Sequence, residues 1–274
     1  MNRLSGFIFA VLLMVWCSGT VSAWESLGLS GGGAQYNPAI SPHDPNLMFV
    51  ACDMSNIFRS EDGGRTWTML DMKMISRGHM SQACFHATDP NVVFYGTSEG
   101  LQVSRDKGTT WTPMPGTPAW GYPVSRMYAS REDTNLYLVA AAKGVWRSPD
   151  AGVTWQAATG VEGVGLAFFG AKGTYFVATD KGVYRSDDQG QTWRIKSPKA
   201  TTAVTQGFCG GVKGDGVVLY CSQTTGSQIY KSTDLGETWI PALGNLSPTN
   251  SYSRVQGAEN DPNVLYIRGC RHQA

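Results

Sequence analysis

The chain has 274 residues, of which 22 are basic and 21 acidic, for a formal net charge of +1. That balance leaves no electrostatic footprint for nucleic acid or an anionic membrane surface. Its 33 Gly, 9 Trp and 11 Tyr are the turn residues and flat aromatics of an all-β protein, and helical periodicity is absent.

Residues 1–23 stand apart: Arg3 gives a basic start, Phe7 to Trp16 is almost wholly apolar, and Val21-Ser22-Ala23 is a small-residue cleavage site. This is the pattern of a secretory signal peptide, too short for a membrane span. Bulky Trp16 before Cys17 argues against a lipid anchor there. No later segment is long and apolar enough to cross a bilayer, so a secreted or periplasmic product, residues 24–274, is expected. It keeps Cys52, Cys84, Cys209, Cys221 and Cys270, an odd count. Cys209 and Cys221 are the candidate disulfide, against buried free thiols. No cysteine or histidine spacing suggests a metal, and no cofactor is expected.

Two patterns then alternate along the chain. The first is a turn feeding a strand: Asp44-Pro45-Asn46, Asp89-Pro90-Asn91, Asp133-Thr134-Asn135 and Asp261-Pro262-Asn263, each followed by apolar residues. The second is an octet, Ser-x-Asp-x-Gly-x-Thr-Trp, running Ser60 to Trp67, Ser104 to Trp111, Ser148 to Trp155, Ser186 to Trp193 and Ser232 to Trp239. Its serines recur at intervals of 44, 44, 38 and 46 residues, a period of repeated supersecondary units. In the octet, Ser and Asp accept backbone hydrogen bonds and the Gly supplies a positive φ, so it reads as a hairpin tip. The preceding strand carries a large apolar residue two positions before the Ser (Trp146, Tyr184, Tyr230).

The octet resembles the Asp box, or bacterial neuraminidase repeat. The resemblance covers most of the chain and implies a β-propeller of four-stranded blades: strand A, Asp-Pro-Asn turn, strand B, loop, strand C, Asp box, strand D. From the first Asp to the box Asp is 18, 17 and 17 residues in the first three units. The same spacing from Asp261 puts a sixth box just beyond Ala274, so five blades plus a partial sixth are expected, as from a truncated reading frame. The alternative is a half-blade that closes a small ring with a strand near Trp24 to Leu29.

Antiparallel alternation places both repeated turns on one face and the variable connections on the other. The box aspartates Asp62, Asp106, Asp150, Asp188 and Asp234 are therefore structural. On the opposite face fall Asp53, Glu99, Lys143 and Asp180 from the B–C turns, and Arg77, His79, Trp120 and Tyr122 from the D–A connections. Acids beside aromatic platforms suit a sugar ring, so Arg77, His79, Trp120, Tyr122 and Lys143 are the candidate substrate contacts.

Gly31-Gly32-Gly33, then Asn37 to Asn46, then Val50-Ala51-Cys52-Asp53 before Ile57-Phe58-Arg59, resembles the start of xyloglucanase-type glycoside hydrolases, family seventy-four. By that resemblance Asp53 would be the general base of an inverting hydrolysis on a β-glucan or xyloglucan. Met54-Ser55-Asn56 replaces the family's usual Gly pair. Members carry two propellers and take the general acid from the second, so here Asp53 would pair with Glu99 or Asp180, at about 6.5–9.5 Å. A sialidase would need converging arginines; Arg126, Arg254 and Arg77 are available, but the chain has no Phe/Tyr-Arg-Ile-Pro segment. A non-catalytic propeller that holds a peptide or glycan, like sortilin-type receptors or photosystem assembly factors, is the alternative to every enzyme reading, because fold does not settle function.

Overall fold

The computed structural model describes residues 29, 33–76, 78, 81–120, 123–197, 205–223, 229–242, 244, 246, 251–258 and 261–270. Residues 1–23, Trp24, Arg77, His79, Tyr122 and 271–274, and the side chain of Cys270, lie outside them.

Every described element is a strand. Blade 1 is β1 (Gln35–Ile40), β2 (Met48–Cys52), β3 (Ile57–Ser60) and β4 (Thr68–Met69). Blade 2 is β5 (Cys84–Phe85), β6 (Val93–Thr97), β7 (Gly100–Ser104) and β8 (Thr112–Pro113). Blade 3 is β9 (Val124–Ala129), β10 (Tyr137–Ala141), β11 (Gly144–Ser148) and β12 (Gln156–Ala157). Blade 4 is β13 (Gly165–Ala171), β14 (Thr174–Thr179), β15 (Gly182–Ser186) and β16 (Arg194–Ile195). Blade 5 is β17 (Thr205–Lys213), β18 (Gly216–Gln223), β19 (Ile229–Ser232) and β20 (Ile240–Pro241). The last sheet pairs β21 (Ser251–Ala258) with β22 (Asp261–Cys270). Five antiparallel four-stranded blades and a two-stranded sixth make an all-β propeller, as the repeats require. The strands that open each sheet pack on those of neighbouring blades, β9 on β5 and β13, and β17 on β13 and β21; they are the inner strands.

The octets close identically. In blade 3, Ser148 Oγ donates to Asp150 Oδ1 at 2.8 Å and accepts the Gly152 amide at 2.7 Å. Asp150 also accepts the amide and hydroxyl of Thr154. The same Ser–Asp–Thr bonds recur around Asp62, Asp106, Asp188 and Asp234. Four of the box indoles donate to the Gly carbonyl of their own box: Trp67, Trp111, Trp193 and Trp239. The box loop is tied to the first turn of its own blade, since the carbonyls of Asn46, Asn91 and Asn135 accept the amides of Gly63, Lys107 and Ala151. Both repeated turns therefore share a face.

The boxes also clip blade to blade. The residue after the box Asp is left-handed in all five blades, among them Lys107 (φ 58°), Gln189 (φ 57°) and Leu235 (φ 59°) of blades 2, 4 and 5. That twist turns its carbonyl towards the previous blade, where Arg59, Arg147 and Arg185 donate to it. Between blades lie apolar layers: Phe49, Val93, Tyr95 and Trp111 between the first two, and Leu138, Tyr175, Val177 and Trp193 between the third and fourth. The outer strands are only two residues long, exposed, and end in Pro113 and Pro241 in blades 2 and 5, which blunts the sheet edge.

The expected Cys209–Cys221 bridge is not formed; both are free thiols. Register explains it: Cys209 pairs with Tyr220 and Cys221 with Phe208. Successive pairs point to opposite faces, so Cys221 packs towards blade 4 and Cys209 towards the sixth sheet. Burial raises the pKa of both, Cys209 to about 12, which makes them poor nucleophiles.

Two outcomes follow. Replacing Ser148, which is fully buried, by Ala strands the Gly152 amide and should cost about 2 kcal/mol in urea unfolding. The Thr66 hydroxyl and amide, with Ser60, hold the Asp62 carboxyl at about 2 against an ordinary 3.8, and the other box acids shift the same way. A depressed folded-state pKa contributes stability above the unfolded value that is lost as pH falls through the folded one. Melting temperature should therefore fall between pH ~4 and ~2 through these carboxylates, and thermal scans across that window check it.

Candidate functional site

The face opposite the boxes collects the B–C turns, the D–A connections and the inner ends of the first strands. Asp53 follows β2 directly. Its Oδ1 accepts the Ala34 amide at 2.9 Å, its Oδ2 accepts the Tyr36 hydroxyl at 3.4 Å, and its own amide donates to the Ala34 carbonyl. Asp180, at the same place in blade 4, does the same work. Its Oδ1 accepts the Val164 amide at 2.7 Å and its amide donates to the Val164 carbonyl. Each acid closes the entry of its blade's inner strand, a device that suits a carboxylate because it accepts without needing a proton.

A glycine makes each closure possible. Gly33 (φ 102°) and Gly163 (φ 90°) precede the bonded residues, and a Cβ on either would run into the Asp Oδ1. Gly33, the last glycine of the Gly-rich stretch before β1, thus has a local steric reason. Asp180 also sits 3.7 Å from Lys181. Glu99 is exposed on the β6–β7 turn, its amide donating to Thr97 Oγ1. Among the described residues no hydrogen bond or ion pair joins Asp53, Glu99 and Asp180 to one another.

Trp120 is not the exposed platform expected of it. It is 2% exposed, edge-on to Trp155 at 5.0 Å and tilted against Trp146 at 6.1 Å. A loop indole buries a large apolar area wherever a hollow is at hand, and the hollow beside blade 3 accepts this one. Lys143 pins the same loop, donating to the Ala119 carbonyl at 3.1 Å. Of the predicted contacts, the structure thus brings together Lys143 and the Trp120 loop. Arg77, His79 and Tyr122 are outside the described residues.

The inner strands supply what the loops do not. Asn37 sits at a register shift in β1 with φ 50°, a left-handed conformation that Asn tolerates better than most residues. Its Oδ1 accepts a bond from Arg126 of β9 at 3.2 Å, from blade 3 to blade 1 past blade 2. Burial, and then the charge of Arg254 on β21, bring the Arg126 guanidinium down to about 10. Arg126 pairs with Ala140 and Arg254 with Arg268, so the two stand on inner strands of blades 3 and 6. Asn37, Arg126 and Arg254 form a cationic, hydrogen-bonding patch. Only the arginines carry a sequence signal; Asn37 depends on a bulge that the pattern does not show. Among the described residues, no group of three or more His, Cys, Asp or Glu could hold a metal ion.

The BNR/Asp-box repeat family model matches residues 184–194, and no curated protein matches the chain in sequence. Solved structures with this fold include an ancestral GH74 enzyme (TM-score 0.67, 17% identity, 85% of this chain and 34% of that one). They include the GH74 xyloglucanase from Xanthomonas campestris (TM-score 0.70, 16% identity, 92% of this chain and 44% of that one). A third is YCF48 bound to D1 peptide (TM-score 0.64, 15% identity, 86% of this chain and 75% of that one). The chain thus spans about a third of the ancestral enzyme's length. Identities this low establish the propeller and the Asp-box repeat, not the activity.

Asp53→Ala and Asp180→Ala should each lower stability by about 1–2 kcal/mol. Asp53→Asn, which keeps an acceptor for the Ala34 amide, should cost less than half of that. Equilibrium denaturation of the three variants measures the difference.

Proposed function

We propose that this Asp-box propeller is a binding protein without turnover, which holds an extended, carboxylate-bearing peptide over the inner mouth of the face opposite its boxes. The observation that carries this reading is the duplication of Asp53 by Asp180. Two acids that make the same pair of backbone bonds at the same place in different blades do one job, strand closure. Both Asp53 oxygens accept from the strand entry it closes, Oδ1 from the Ala34 amide at 2.9 Å and Oδ2 from the Tyr36 hydroxyl at 3.4 Å, which supports closure as its role.

The mouth favours a carboxylate. Arg254 is exposed beside half-buried Arg126, and two nearby guanidiniums are relieved by an anion that accepts from both. A sugar platform has less support, since Trp120 is turned into the core. The D1 peptide bound in the YCF48 structure supports a peptide as the class of ligand. The reading takes the chain as exported, on the strength of the basic, apolar and small-residue stretch before Trp24.

A second reading, hydrolysis or binding of a β-glucan with Asp53 as base, is supported by the half-buried position of Asp53 on this face and by the likeness to GH74 folds. One pair of assays separates the two. A labelled nonapeptide with a free C-terminal carboxylate should bind at least tenfold tighter than its amide, and Arg254→Gln should remove that preference. Xyloglucan and mixed-linkage β-glucan should release no oligosaccharide. Release by the wild type that disappears in Asp53→Asn, or equal binding of acid and amide, would overturn the proposal.

A further inference from the structure

The first turns of blades 1, 2 and 3 share one backbone form and differ in the side chain that caps them. Ser41, His86 and Ser130 follow β1, β5 and β9, and their amides donate across the turn to the carbonyls of Leu47, Val92 and Leu136. In blades 1 and 3 the cap is a hydroxyl. Ser41 Oγ accepts the amides of His43 and Asp44 at 3.2 and 3.3 Å, and Ser130 Oγ accepts those of Glu132 and Asp133 at 3.3 and 3.2 Å. In blade 2 the cap is an imidazole, whose Nδ1 accepts the amides of Thr88 and Asp89 at 3.3 and 3.0 Å. A backbone amide only donates, so Nδ1 is bare and the His86 ring is the neutral Nε2–H tautomer.

The two kinds of cap respond differently to acid. A hydroxyl remains an acceptor, whereas an imidazolium carries a proton on both nitrogens and accepts nothing. A proton taken from solvent by His86 Nδ1 therefore faces two N–H groups and leaves both without an acceptor. The charged and titratable groups around the ring are Asp89 in its own turn, His43 in the first turn of blade 1, Arg105 in the box of blade 2, and Tyr137 of blade 3, edge-on at 6.1 Å. Burial holds the ring below its ordinary 6.5; Asp89 works against this, and His43 and Arg105 push it further down.

The cap holds more than its own turn. The His86 carbonyl accepts from His43 Nε2 of blade 1 at 2.8 Å. At the other end of the turn the Asn91 carbonyl accepts the Lys107 amide, and the Lys107 carbonyl in turn accepts from Arg59 of blade 1 at 2.7 Å. Segment 86–91 thus carries two anchor points between blades 1 and 2. We propose that His86 is a proton-operated latch on this junction: protonation at Nδ1 releases the turn 86–91 and loosens blade 2 from blade 1 on the box face, while the serine-capped turn of blade 3 stays closed.

Because the folded state favours the neutral ring, the contribution of the latch is complete above about 6.5 and is lost as pH falls through the lower, folded value. That window lies above the one in which the box carboxylates titrate. The test follows the full chain by NMR from pH ~7.5 to ~5. At the upper end the ring nitrogens of His86 should show the Nε2–H tautomer. On acidification the exchange protection of the Thr88, Asp89 and Lys107 amides, corrected for intrinsic rate, should fall at least threefold, with that of Glu132 and Asp133 unchanged. His86→Asn, whose Oδ1 stands in for Nδ1 and takes no proton, should abolish the response. His43→Gln, which keeps a donor for the His86 carbonyl, should retain it. An Nδ1–H ring, no response in the wild type, an equal response in blade 3, or a response that survives in His86→Asn or vanishes in His43→Gln would overturn the proposal.

Discussion

The structure depends on the capture of backbone amides by short polar side chains. A blade of four strands cannot end in a tight left-handed turn unless the amides pointing into that turn find acceptors, because an unpaired buried donor costs about 1–3 kcal/mol. The box Ser and Asp supply those acceptors, and the left-handed residue after the Asp turns a carbonyl outward. An arginine of the preceding blade then donates to that carbonyl, at 2.7 Å from Arg59 and 3.0 Å from Arg147. One octet thus closes its hairpin, joins the first turn of its blade and ties neighbouring blades together.

The same chemistry governs the opposite face. Asp53 and Asp180 repeat the box strategy at a strand entry, each capturing an amide beside a left-handed glycine. The acids of the chain that are prominent in sequence are mostly consumed in this way. What remains for ligands is cationic: the arginines of the inner strands. The variable connections cover the hollows between blades, one with the Trp120 indole and the next with Ala158 and Val161, while the strands beneath them stay constant.

How much of this was legible in sequence follows the same division. The octets, their period and their spacing from Asp-Pro-Asn give the strand order and the face on which each turn lies, because both depend on local turn chemistry. The two-stranded sixth sheet also matches the spacing. The burial of Trp120 is not legible in sequence, because exposure of a loop indole depends on a hollow made by residues of another part of the chain, Trp146 and Trp155. The Cys209–Cys221 pairing failed on register, which a one-residue offset reverses. The role of Asp180 does carry a sequence signal: a glycine and an apolar residue just before an inner strand, and an aspartate just after the next, as in Gly33-Ala34 with Asp53 and Gly163-Val164 with Asp180.

Amide hydrogen exchange at Ala34 and Val164 tests most directly whether these carboxylates are structural. Both amides should be protected in the wild type. Asp53→Ala should speed exchange at Ala34 by at least tenfold while leaving Val164 unchanged, and Asp180→Ala should do the reverse. Free exchange of either amide in the wild type would contradict the assignment of these acids to strand closure.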